Sequence, residues 1–133
     1  MAITITKRRL SGSTDGLPIG ITATQGGTYN TIHLGITGTS VMDEVYLYAQ
    51  NNFSETLQLA IEFGHSGTNA VIRVPIPSKD GPTLIVPGFI HQASNGLSAV
   101  VAYCDSTASL ATSGVGATGM VTVWGYVNRI TQT

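Results

Sequence analysis

From Glu44 to Gly64 the chain alternates strictly between two kinds of side chain. Val45, Leu47 and Ala49 interleave with Tyr46, Tyr48 and Gln50; after the polar run Asn51 to Glu55, Leu57, Leu59, Ile61 and Phe63 interleave with Gln58, Ala60 and Glu62. A period of two places successive residues on opposite faces of a strand, so this stretch predicts two strands joined by a turn. The shortness of the turn predicts a hairpin, with the remaining strands pairing beside it or packing across from it.

The same pattern recurs along the chain. Ala2 to Thr6 alternates Ile3 and Ile5 with threonines and predicts an edge strand or arm. The basic triplet Lys7-Arg8-Arg9 and the segment SGSTDG, expected as a flexible turn, follow it. Leu17 to Ala23 and Tyr29 to Thr37 read as strands around Gly26-Gly27, a hairpin signal because both residues take positive φ freely. Ala70 to Pro75 returns antiparallel to Leu57 to Phe63, and Pro75 and Pro77 place that stretch at a strand end or sheet edge. Thr83 to Val86 reads as a short strand closed by Pro87-Gly88, with Phe89-Ile90-His91 starting a connection. Leu97 to Cys104 and Met120 to Ile130 are the last two strands; the small-residue segment Asp105 to Gly119 between them predicts an exposed loop. No window shows a helical period. About eight strands joined mostly by short turns predict an all-β, antiparallel β-sandwich: residues 1–16 form an N-terminal arm or edge strand and residues 17–133 a single domain.

Two-sidedness sharpens this picture. A sandwich strand buries one face and wets the other. Here Val45 to Tyr48, Leu97 to Cys104 and Met120 to Ile130 are apolar or aromatic on both. Left bare, Tyr46, Tyr48, Trp124 and Tyr126 would make an apolar patch larger than monomers usually expose. The small side chains of 105–119 make a poor lid, so a neighbouring subunit is the expected cover, and tyrosine and tryptophan suit such contacts.

Composition narrows the function classes. Charged residues make up 10% of the 133, against roughly 25% in soluble domains generally, and the surface is expected to consist of hydroxyls, amides and backbone. A formal net charge of −1 supplies no field to steer a polyanion, and no strand interleaves basic and aromatic residues as a base-stacking platform does, so nucleic acid is not an expected partner. The single cysteine, Cys104, forms no intramolecular disulfide and is expected to be a buried, inert thiol. No apolar run approaches membrane length and the first residues lack a secretory h-region. A soluble protein made in the cytoplasm is expected.

The search for chemistry returns little. Gly114 to Gly119 spells GxGxxG, but a loop precedes it and a strand follows, where a dinucleotide fingerprint needs strand then helix. Gly64-His65-Ser66-Gly67 fails as a nucleophile elbow, because Thr68 stands where glycine is required. His33, His65 and His91 form no metal-ligand spacing with the carboxylates; His65 and His91 fall near predicted turns and are read as solvent-exposed. No catalytic residue, cofactor or metal is expected. The basic triplet reads either as a solvated strand end or as a grip for an acidic surface or phosphate. A rival binding use, sugar recognition by polar loops, would draw on Tyr29, Asn51, Asn52 and Asn95.

The run Glu44 to Ala49, the strand Leu57 to Gly64, Ile76-Pro77-Ser78-Lys79-Asp80-Gly81-Pro82 leading into Val86-Pro87-Gly88, and the close Trp124 to Ile130 together resemble small virion structural proteins of tailed bacteriophages. Those are similar in turn to capsid decoration, or cement, proteins. The resemblance covers most of residues 44–130. It implies a jelly-roll sandwich that forms a small homo-oligomer, a trimer in preference to a dimer. Such an oligomer sits on the outer capsid at hexamer junctions and bridges the major capsid protein against internal DNA pressure. The location implied is the virion, on the capsid surface. On this view Tyr46, Tyr48, Trp124 and Tyr126 are candidates for subunit contacts and Lys7, Arg8 and Arg9 for capsid contacts. The alternative is a receptor- or carbohydrate-binding module of a tail spike or fibre.

Overall fold

A computed structural model describes residues 1–22, 29–64, 71–79, 81–92, 99–104 and 121–133. Among these lie nine strands: β1 (Ile3–Arg9), β2 (Ile19–Ile21), β3 (Asn30–Leu34), β4 (Val41–Asn51), β5 (Leu57–Phe63), β6 (Val71–Ile76), β7 (Thr83–His91), β8 (Ala99–Cys104) and β9 (Val121–Gln132). They form two antiparallel sheets. Sheet A runs β1-β9-β4-β7, with β2 pairing the first residues of β9, and sheet B runs β3-β8-β5-β6. Because β1 and β2 share one side of β9, they count as a single position. The two orders are then those of an eight-position jelly roll.

The core follows from strand parity. Val45, Leu47 and Ala49 of β4 and Val121, Val123 and Val127 of β9 face inward. From the other sheet they meet Leu57, Leu59 and Ile61 of β5 and Val100, Ala102 and Cys104 of β8, all buried in one cluster. Burial raises the Cys104 thiol to about 11, which leaves almost no thiolate at neutral pH. Native protein at about pH 8 is expected to react with a maleimide at least a hundredfold more slowly than protein unfolded in denaturant. Equal rates would show that the β8 end opens freely.

Three expectations about pairing are corrected. β4 and β5 are not a hairpin: β4 pairs β7 and β9 in sheet A, whereas β5 pairs β6 and β8 in sheet B. The connection is a corner, held by buried Asn51. Its Nδ2 donates to the carbonyls of Glu55 (2.8 Å) and Ile76 (2.9 Å), and its Oδ1 accepts from the Phe53 amide (2.8 Å). Ile76 belongs to sheet B, so this one amide ties the two sheets together. Likewise β2 and β3 lie in opposite sheets, with Gly26 and Gly27 outside the described residues. Finally, β7 does not end at Pro87. It continues to His91 with register shifts against β4, which an edge strand accommodates because no further strand needs the proline's missing N–H.

The segment after β1 is pinned, contrary to the flexible turn expected of it. Leu10 is buried in the core, and the chain then leaves sheet A to run along β3 of sheet B. Gly12 donates to the Ile32 carbonyl (3.0 Å), and Ser11 Oγ accepts from the Leu34 amide (2.6 Å). A Cβ at Gly12 would collide with the Thr31 and Ile32 carbonyls, so this approach requires glycine. Residues 10–13 thus close one open side of the sandwich before β2 returns to β9. The predicted exposed loop 105–119 lies outside the described residues.

Candidate functional site

The outer face of sheet A is assembled from register. Tyr46 stands opposite Tyr126 and Tyr48 opposite Trp124, so the four aromatic candidates share one face across the central strand pair. The next strands extend each row. Arg9 is opposite Tyr126, Lys7 is opposite Asn128, and Ile5 is opposite Ile130; on the far side Leu84 is opposite Tyr48 and Ile90 opposite Glu44. The sequence separates these residues by up to 125 positions, and only the strand order brings them together.

Within this face the rings are organised as a ladder. Tyr46 and Tyr126 stack with centroids 5.0 Å apart and planes 16° from parallel. The Lys7 ammonium, from β1 on the opposite flank of β9, lies 4.1 Å from the Tyr126 centroid, a cation–π contact. On the other flank Tyr46 closes on Gly88, where a Cβ would come within 2.9 Å of its hydroxyl end. Glu44, hydrogen-bonded to the Tyr46 hydroxyl, holds that phenol above its usual range, and Glu44 also accepts from Asn128 Nδ2 at 3.0 Å. Lys7, Tyr126, Tyr46 and Gly88 therefore cross four strands. Around them remain exposed apolar groups: Trp124 (39% exposed), Leu84 (46%) and Ile90 (53%).

The other sheet supplies a contrast. Tyr103 on the outer side of β8 is also aromatic and outward, yet it is buried: Tyr29 stacks on it at 4.2 Å, with Ala60 and Val71 beside it. The two-sided character of β8 is thus satisfied within the chain. Among the described residues nothing does the same for sheet A.

The basic triplet is split by the pleat. Lys7 and Arg9 join the aromatic face, while Arg8, opposite Val127, projects from the reverse side of β1. Arg9 Nη1 reaches Asp15 Oδ1 at 3.4 Å, an exposed pair worth little. The rival sugar-binding set is dispersed: Asn51 is buried with its amide fully used at the corner, Tyr29 stacks on Tyr103, and Asn95 lies outside the described residues. Asn52 remains at the surface, bonded through its side chain to Gln50 and through its carbonyl to Lys79.

A second constellation escaped the sequence reading. Arg129 Nε and Nη2 donate to the two carboxylate oxygens of Asp43, each at 2.9 Å, and His33 Nε2 donates to Asp43 Oδ2 at 2.6 Å. The Ser11 amide donates to His33 Nδ1 (3.1 Å), which fixes the neutral tautomer with its proton on Nε2. Burial pushes His33 below its ordinary value, against the opposing pull of Asp43. Burial alone would raise Asp43; the bonds from Arg129 and His33 outweigh it and hold the carboxyl below the usual range. A serine, a histidine and an aspartate meet here, but not as a nucleophilic triad. The Ser11 hydroxyl accepts from Leu34 and does not approach the imidazole as its donor; the backbone N–H occupies that place. The cluster joins the N-terminal segment, β3, β4 and β9.

His33 and His91 are both buried on strands, which corrects the solvent-exposed assignment for His91; His65 lies outside the described residues. Among the described residues no group of three or more His, Cys, Asp or Glu side chains is placed to hold a metal ion.

The chain matches no protein-family model, no curated protein and no solved structure.

Proposed function

We propose that this protein is a capsid decoration protein of a tailed bacteriophage. It binds the outer capsid surface as a small oligomer and bridges major capsid subunits. The observation that carries this reading is the outer face of sheet A, which no other described element covers and where exposed Trp124, Leu84 and Ile90 flank the tyrosine ladder, while the corresponding tyrosine of sheet B is covered from within. Such a face calls for a protein neighbour. The jelly-roll order of the sheets and the small charged fraction agree with a rigid module that is partly hidden in an assembly. A protein that binds the assembled lattice and not its separate subunits stabilises the lattice by mass action, and several contacts per oligomer add avidity.

The test is loading onto purified shells stripped of the protein. Saturation at a fixed ratio to the major capsid protein is expected, together with greater resistance of the loaded shells to heat. Absence of loading, with glycan binding by the free protein instead, would transfer the function to the receptor-binding alternative.

A further inference from the structure

Among the described residues the four sheet edges are not equally protected. At β7 the edge carries Pro87 and two register shifts; at β6 it carries Pro75; and at β3 it carries a bulge between Thr31 and His33 and is covered by residues 11 and 12. These are the usual devices that prevent a further strand from adding. Among the described residues β1 has no proline, register shift or covering segment; its one guard is the charge of Lys7, Arg8 and Arg9, which repels a like-charged strand and not an acidic one. β1 pairs with β9 in unbroken register from Ile3 to Arg9, and all seven of its residues are exposed, with Ile3 and Ile5 at 64% and 65%. We infer that the free edge of β1 is a docking site for an extended, acidic segment of a partner protein, which adds to sheet A as a further strand.

Hydrogen-bond alternation identifies the groups on offer. Ala2 and Thr133 exchange both backbone bonds, at 3.1 and 2.9 Å. In an antiparallel pair the hydrogen-bonded positions alternate, so Thr4, Thr6 and Arg8 point their N–H and C=O groups at β9. Ile3, Ile5, Lys7 and Arg9 point theirs at the open edge. Side chains set the partner's chemistry. Three of the six lysines and arginines of the chain stand together on this strand, and Arg129 is already engaged by Asp43. An incoming antiparallel strand would place acidic residues opposite Lys7, Arg8 and Arg9 and β-branched apolar residues opposite Ile3 and Ile5. The same charges disfavour a second copy, whose own Lys7, Arg8 and Arg9 would enter the like-charged interface. In the context of the proposed function the partner is a segment of the major capsid protein, and the inference rests on that reading only for this identification.

The probe is a peptide, Glu-Glu-Glu-Thr-Val-Thr-Val, added to the full chain. Binding is expected to slow amide exchange at Ile5, Lys7 and Arg9 by about tenfold or more, while Thr4 and Thr6, already bonded to β9, change little. Affinity should fall with added salt, and a peptide with lysines in place of the glutamates should not bind. Ile5→Pro removes an outward N–H and no bond to β9, so it should weaken binding by about tenfold or more with the fold's melting unchanged; Ile5→Ala should bind within about threefold of the original. No protection at the odd-numbered amides, equal binding of the lysine peptide, or a dimer of the free chain that Ile5→Pro abolishes would each overturn the inference. Shell loading separates the two proposals. If Ile5→Pro loads as well as the original, the edge inference falls and the decoration reading stands. If the peptide binds the edge but shells are never loaded, the reverse holds.

Discussion

Asp43→Ala is expected to destabilise the fold by about 3–5 kcal/mol, the cost of leaving a largely buried guanidinium without its carboxylate. The cause is geometric: the same side chain accepts two bonds from Arg129 and one from His33, so its loss leaves three buried donors unpaired at once. Urea denaturation measures it, as a lower midpoint with an unchanged slope. The cluster also sets the pH dependence. His33 has its folded pKa lowered from 6.5, so below that value the unfolded chain takes up a proton that the folded chain refuses, and stability falls with pH. Asp43 is lowered from 3.8; its contribution is present above that value and is lost as pH falls through the lower folded one. The melting temperature is therefore expected to be level above about pH 7, to decline below about pH 6.5, and to drop again below about pH 4. A melting temperature that rises on mild acidification would mean that His33 is charged in the fold.

Gly125→Ala, a single methyl added on the core side of β9, should cost at or above the upper end of the roughly 1–3 kcal/mol usual for overpacking. Gly125 sits between Trp124 and Tyr126 and opposite Leu47. A Cβ there would run into the Tyr46 backbone carbonyl and come within 3.1 Å of the Leu47 side chain. The obstacle is the backbone of the neighbouring strand, which cannot swing aside as a side chain can. Separating β4 from β9 at this point also separates the stacked Tyr46 and Tyr126, so the near-ultraviolet circular dichroism of the tyrosines should weaken together with stability. A variant as stable as the original, with its aromatic signal intact, would show that β4 and β9 are less tightly apposed than their register implies.

How far the fold is legible in the sequence depends on which question alternation answers. It answers which face a residue takes. Leu57 to Phe63 is a strand over the expected residues, and Val45, Leu47 and Ala49 face the core as their parity requires. It is silent on which strand comes next in the sheet. The short polar run after β4 therefore reads equally as a hairpin or as a corner between sheets, and Asn51 decides for the corner through bonds to a strand 25 residues away. A signal was nonetheless present. Asp43 and Asn51 share the inward parity of β4, and Arg129 shares that of β9; a polar residue on the buried side of a strand needs a specific partner. The four aromatic candidates were identifiable as outward and apolar, but their convergence depends on the Tyr46–Tyr126 register, which no local pattern encodes. Tyr103 has the same local look and meets the opposite fate, because Tyr29 covers it.

That contrast makes the outer face of sheet A the centre of the account, and light scattering at micromolar concentration tests it most directly. The original chain should scatter as a small multiple of 13.8 kDa. A Tyr48→Ser, Trp124→Ser variant, altered only at the solvent side of β4 and β9, should scatter as a 13.8 kDa monomer while keeping its cooperative melt. A monomeric original chain, or a variant that associates as the original does, would contradict the assignment of this face to assembly.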